Sequence, residues 1–283
     1  MPENGNSSVL GSAPPRVRLV CIDLDGTLIG STGAPTQVVW DTADQALTAG
    51  LHLAICTARP GTGLAWEWAT RLDSNGWHQF QTGASIMHTG NRETRSALLP
   101  VGVAERCRDH ALDAGWIFEA YSHTDYIVDS SHQAAKQHAD LLGIPYVHRS
   151  LNTLDGAVVR THLIVTDTQL PAALASISDD CEASSATSPV MPGYNFVSIT
   201  ARGVDKSSGV STIADLLGCR LSEVMMIGDG HNDVPAMKVV GYPVSMGNAP
   251  ADVAAAARFR VAHVDDDGVA EALKLAISTI AWN

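Results

Sequence analysis

The sequence predicts an α/β protein, a parallel sheet covered by helices on both faces, interrupted by an inserted α+β unit. Two observations predict it. Short, continuous apolar runs such as VRLVCID (17–23), LHLAICT (51–57) and EVMMIGD (223–229) suit strands buried on both faces, and helical patterns separate them. Between about residues 84 and 197 the runs become longer and alternate, as expected of a sheet with one wet face. The chain divides accordingly into a tail (1–15), a first core segment (16–83), the insertion (84–197) and a second core segment (198–283).

The elements follow in order. After the first strand, TQVVWDTADQALTAG has Val39, Ala43, Ala46 and Leu47 at helical spacing, and Gly50 is a C-terminal stop. LHLAICT is a second buried strand, TGLAWEWATRL (62–72) a helix and HQFQTG (78–83) a short third strand. In the insertion, GWIFEAYSHTDYIVD (115–129) and VVRTHLIVTD (158–167) read as strands, and SSHQAAKQHADLLG (130–143) as a helix. CEASSATSPVMPGYN (181–195) reads as a loop-rich exit. The α/β pattern returns with SGVSTIADLLG (208–218), helical, and the strand EVMMIGD; DVPAMKVVG is a helix, YPVSMG and RFRVAHV are short strands, and GVAEALKLAIS is a final helix.

A length of 283 residues, 45% hydrophobic and 17% charged, suits a globular chain with a large core. The formal net charge of −12 argues against nucleic-acid binding, which needs a basic patch, but not against a small anionic substrate. The five cysteines are scattered without a CxxC, so free thiols are expected. The polar start MPENGNSSVLGSAPPR has no apolar signal region, and no stretch approaches the roughly 18 apolar residues of a membrane helix. A cytoplasmic monomer or small homo-oligomer, without membrane or nucleic-acid partners, is expected.

Carboxylates mark the ends of the apolar strands. Asp23 and Asp25 close the first, Thr57 and Arg59 follow the second, and Asp229 and Asp233 follow VMMI in GDGHND. In an open parallel sheet, ligands sit at the carboxyl ends of the strands. If these three strands are neighbours, the carboxylates converge, and they need a cation. A hard, oxygen-preferring ion fits, with Mg²⁺ the natural candidate.

DLDGT, the threonine of CTARP, Lys206 in GVDKSSGV, and GDGHND occur in the order found in the haloacid dehalogenase superfamily, which this chain resembles from Val17 to its end. SMGNAP (245–250) and DDDGVAEAL (265–273) are similar to the C-terminal wording of its Cof-like phosphatases, which carry a large α/β cap where the insertion lies here. The resemblance implies a Rossmann-like core and a Mg²⁺-dependent phosphatase of small phosphorylated metabolites, sugar phosphates first. Asp23 would be the nucleophile, forming an aspartyl-phosphate, and Asp25 the acid and base, its backbone carbonyl a metal ligand. Gly26 would permit the turn, with Thr27 capping the next segment. Thr57, Ala58, Arg59, Lys206, Asn232 and Asn248 would line the phosphate or orient the groups around it. Asp23, Asp25, Asp229 and Asp233 would serve the metal, Asp233 directly or through water.

Each residue also has a plainer reading. A strand-end threonine or a lysine before a helix is ordinarily structural, and Asn248 fits a turn equally well. Asp265, Asp266 and Asp267 read as a solvated helix N-terminus, and His231 as a surface histidine. YSHTDY (121–126) suits a sugar-binding loop or an exposed strand face. Two positions depart from the subgroup: TGR reads Thr57-Ala58-Arg59, which excludes a positive φ at Ala58, and NGA reads Thr82-Gly83-Ala84. The rival functions are a sugar-phosphate phosphomutase and a non-catalytic module binding a phosphorylated ligand.

Overall fold

A computed structural model describes residues 15–188 and 190–281. The expected tail, residues 1–14, lies outside them; Pro15, counted with it, accepts a hydrogen bond from the Tyr242 hydroxyl.

The first core segment runs β1 (Leu19–Ile22), α1 (Gln37–Thr48), β2 (His52–Ile55), α2 (Gly63–Leu72), β3 (Trp77–Phe80) and β4 (Ser85–His88). Thr36 caps α1 by accepting from the Val39 amide at 3.3 Å. The inserted unit runs α3 (Val103–Ala114), β5 (Ile117–Tyr121), β6 (Tyr126–Val128), α4 (Gln133–Leu142), β7 (Arg160–Thr166), α5 (Leu170–Ala175), β8 (Cys181–Thr187) and β9 (Tyr194–Ala201). The chain closes with α6 (Lys206–Leu216), β10 (Val224–Gly228), α7 (Val234–Val239), β11 (Tyr242–Ser245), α8 (Ala251–Ala254), β12 (Phe259–Arg260) and α9 (Gly268–Ser278).

The main sheet is parallel, in the order β12-β11-β10-β1-β2. Its strands are apolar on both faces because both are covered. Val20 and Ile22 pack with α1 and α9 on one side, Leu19 and Cys21 with α6, α7 and α8 on the other. The expected third strand of this sheet is different in kind. β3 joins the main sheet through a single parallel backbone bridge, from Cys56 just beyond β2 to Gln79, and pairs antiparallel with β4.

A second sheet, antiparallel, has the order β6-β5-β7-β9-β8. Three expectations are corrected here. The stretch 115–129 is a hairpin, because the chain reverses at Ser122–Asp125 and the Ser122 amide donates to Asp125 O at 2.9 Å. The region 181–195 holds the strand β8, paired along its length with β9. The central strands have no wet face: α3 and α5 cover one side and α4 the other. β9 continues to Ala201, beyond residue 197.

The five cysteines are free thiols. Among the described residues, no helix is long and apolar enough to cross a membrane.

Candidate active site

The parallel register sets the site. Ile22 pairs with Ile55 on one side and Ile227 on the other, so the residues just beyond these strands emerge along one sheet edge. Asp23, Asp229 and Asp233 meet there, with carboxylate oxygens within 4.8 Å of one another. Lys206, the first residue of α6, is fully buried and donates to Asp23 Oδ1 and Asp233 Oδ1, both at 2.6 Å. Asp205 caps α6 by accepting from the Ser207 and Ser208 amides, which fixes where the lysine begins.

The electrostatics are those of an under-neutralised cluster. Burial, then repulsion from Asp233, raises the Asp23 carboxyl well above its ordinary range, while Lys206 pulls the other way. Burial also raises Asp229; its hydrogen bond from Thr27 (2.8 Å) opposes this and Asp233 adds to it. Burial works against the lysine charge, but the two aspartates outweigh it and hold Lys206 protonated above its ordinary value. Three carboxylates thus share one ammonium in a buried space, and a divalent cation bound by their oxygens would relieve the repulsion. The donor set is all oxygen, as a hard cation requires.

The carboxylates are not equivalent. Asp233 has Oδ1 on Lys206 and Oδ2 on the Asp229 and Gly230 amides (3.1 and 2.9 Å), so its oxygens are committed to shaping the loop. Asp229 is braced by Thr27 and by Asn248, whose Nδ2 donates to Asp229 Oδ2 at 3.2 Å and to Gly26 O at 2.7 Å. Asn248 is itself held by the Val264 amide, which donates to its Oδ1 at 3.1 Å. Gly26 has φ +82°, and a Cβ there would lie 2.3 Å from Asp229 Oδ2. Only glycine fits that turn beside that carboxylate.

Thr57 is buried, and its Oγ1 accepts from the Arg59 amide at 3.1 Å. Ala58 has no positive φ. Arg59 forks onto Asp25, Nε to Oδ2 at 2.8 Å and Nη2 to Oδ1 at 2.6 Å. The arginine expected to bind substrate therefore orients the carboxylate expected to act as acid. Asn232 sits beside Asp233 with no side-chain hydrogen bond among the described residues.

His231 is exposed and meets Asp252 at 2.7 Å. Asp265 and Asp267 do more than face solvent: Asp265 accepts from the Ser31 amide at 2.8 Å and Asp267 from Thr36 Oγ1 at 2.5 Å, tying down the loop after the first strand. In YSHTDY the tyrosines and Ser122 are buried, leaving only His123, Thr124 and Asp125 near the surface.

Sequence reasoning missed a second polar group inside the inserted unit. Glu119 is fully buried on β5 and accepts from Tyr121 OH (2.7 Å), Tyr126 OH (3.1 Å), His138 Nδ1 (2.9 Å) and His162 Nδ1 (3.2 Å). Beside it, Arg160 reaches out to the first core segment. The signal was available: a lone Glu in WIFEAY and a lone Arg in VVRTHL are charges inside apolar runs, and each demands a partner.

A profile of the haloacid dehalogenase-like hydrolases matches residues 20–273, and the chain belongs to this family. Among curated relatives it is 24% identical over 271 residues, 90% of this chain and 97% of the other, to YxeH of Bacillus subtilis, a candidate phosphatase. It is 21% identical over 280 residues, 90% of this chain and 96% of the other, to the 5-amino-6-(5-phospho-D-ribitylamino)uracil phosphatase YwtE of Bacillus subtilis. Among solved structures it shares its fold with the subclass IIB sugar phosphatase BT4131. There the TM-score is 0.79 at 23% identity, covering 92% of this chain and 100% of that one. A parallel-sheet hydrolase core carrying an antiparallel insertion is therefore the class to which this protein belongs.

Proposed function

We propose that the protein is a Mg²⁺-dependent phosphatase of small phosphomonoesters, sugar phosphates first, and that the antiparallel unit is its cap. The observation that carries this reading is the carboxylate cluster around Lys206, buried at the sheet edge and short of positive charge. Asp23 and Asp229 would hold the ion, with the Asp25 backbone carbonyl; Asp233 would act through water, since it already accepts from the Lys206 ammonium and from two backbone amides. A bound Mg²⁺ would supply charge neutralisation for the incoming phosphate.

This chain's own groups supply the rest. Asp23, whose ionised form Lys206 favours and a bound cation would favour further, attacks phosphorus through its carboxylate oxygen and takes the phosphoryl group as an acyl phosphate. Lys206, the Thr57 hydroxyl and backbone amides near the turn face the transferring oxygens. Asp25, positioned by Arg59, gives up one arm of that fork when it is protonated, protonates the leaving oxygen through the freed oxygen and later takes a proton from the attacking water. The relatives' names, a ribitylamino-uracil phosphate phosphatase and a sugar phosphatase, support a polyhydroxylated phosphomonoester as the substrate class.

The test is phosphate release across sugar phosphates, nucleotides and cofactor phosphates, with Mg²⁺, with chelator and with Asp23→Ala. Release that needs both the metal and Asp23 supports the reading. Conversion of one sugar phosphate isomer into another without free phosphate would replace it with a mutase.

A further inference from the structure

The buried Glu119–His138–His162 group has the spacing of a metal site. Its chemistry is otherwise: the carboxylate already accepts four hydrogen bonds, and an arginine next to it supplies positive charge. The question is what that arginine does.

Arg160 opens β7 and is only 3% exposed. Its guanidinium lies over the Tyr121 ring, 4.2 Å from the centroid, and the Tyr121 hydroxyl donates a hydrogen bond to Glu119. Arg160 Nη1 then leaves the unit and donates to Ala58 O at 2.6 Å. Ala58 lies between Thr57 and Arg59. The three successive carbonyls of this turn are each satisfied: Thr57 O by the Thr82 amide (3.0 Å), Arg59 O by the Gln81 amide (2.9 Å), and Ala58 O by Arg160. The core supplies the outer two. The middle one depends on the inserted unit.

We infer that Arg160 is a positioning residue for the reaction: docked on Ala58 O, it sets the turn from which Arg59 orients Asp25. The inference rests on the proposed role of Asp25 as acid. It makes protonation of the leaving group conditional on a seated cap. Gln81 provides a separate contact across the same junction, its Nε2 donating to Ser122 O at 2.9 Å. That contact does not touch Ala58.

A leaving-group series separates these roles. kcat/KM is measured with p-nitrophenyl phosphate, phenyl phosphate and glucose 6-phosphate for the wild type, Arg160→Gln, Arg160→Lys and Gln81→Ala. General-acid assistance matters least for the nitrophenolate and most for the sugar alkoxide. Arg160→Gln should lose about tenfold or more on glucose 6-phosphate and less than about threefold on p-nitrophenyl phosphate. Arg160→Lys, which keeps the charge and a donor, should fall between, and Gln81→Ala should leave the ratio between substrates unchanged. Thermal unfolding of each variant establishes that it is folded; if Arg160→Gln is not, the slope for Arg160→Lys decides. A parallel loss on every ester, or the same change of ratio in Gln81→Ala, overturns the inference and leaves Arg160 a structural latch. A wild type that releases phosphate from none of the esters overturns the proposed phosphatase first, and the role of Arg160 with it.

Discussion

Among the described residues, two regions hold side chains close enough to ligate one ion, and their electrostatics are opposite. At the sheet edge Asp23, Asp229 and Asp233 share one lysine; in the inserted unit Glu119 faces His138 and His162. Burial raises the Asp23 and Asp229 carboxyls. Burial also opposes ionisation of Glu119, yet the two histidines and their hydrogen bonds hold its carboxyl well below the ordinary range. Spacing alone does not define a cation site. One cluster has more negative charge than its neighbours can satisfy, and the other is complete.

The largest test of that contrast is chemical. Asp23→Asn should lower phosphate release by at least about 1000-fold, as expected when a nucleophile is removed; retained turnover would exclude Asp23. The complete cluster should respond in stability instead. Glu119→Gln removes the buried carboxylate on which two tyrosines and two histidines converge and should cost about 3 kcal/mol in urea unfolding. A neutral effect would mean that solvent already screens the group.

Acid should reach both regions through buried imidazoles. Burial lowers the pKa of His78, next to the main sheet, and of His162, in the inserted unit, to about 4 each, with Arg160 also lowering His162. His78 uses Nδ1 as an acceptor from the Ile55 amide (3.1 Å), so the folded state needs the neutral ring. Between the ordinary value of about 6.5 and about 4, the unfolded chain takes up a proton that the folded chain refuses. Stability is therefore full above that window and falls as pH drops through it, by about 3 kcal/mol for His78. Urea titrations at several pH values measure the slope, and His78→Gln should flatten it.

Metal should separate the two clusters directly. Mg²⁺ at about a hundred times its Kd should stabilise the protein by about 2.7 kcal/mol. Asp229→Asn should abolish that shift and Glu119→Gln should keep it; the reverse pattern would assign the ion to the inserted unit. The smallest effect lies at the joint. Gln81, Thr82 and Gly83 have φ of +54°, +58° and +96°. A Cβ at Gly83 would lie 2.1 Å from Asp205 O, so glycine is required there, but Thr82 is β-branched in a region that disfavours it. Thr82→Asn should raise stability by about 1 kcal/mol, read as a higher Tm.

Much of this was legible. The strands β1, β2 and β10 and the helices α1, α2 and α9 follow from apolar runs and periodicity, since a strand covered on both faces must be apolar throughout. The cluster residues were legible because carboxylates that end such strands have no local partner. The inserted sheet was read less well: its central strands are also covered on both faces, and its edge strand β8 is exposed and polar, so burial did not leave a clean alternating pattern. The tie between Arg59 and Asp25, 34 positions apart, carried no local signal.

The sequence by itself determined the class of fold, the order of its core elements and the carboxylates gathered at one edge, because each depends on local periodicity or on a charge placed where no neighbour can satisfy it. Tertiary structure alone decided what each carboxylate oxygen meets. Asp233 and Asp229 look alike in GDGHND, but one is consumed by Lys206 and two amides while the other is braced by Thr27 and Asn248. Tertiary structure also joined Arg160 to Ala58, 102 positions away, because a hydrogen bond across two packed units depends on how they dock and on nothing either segment encodes alone.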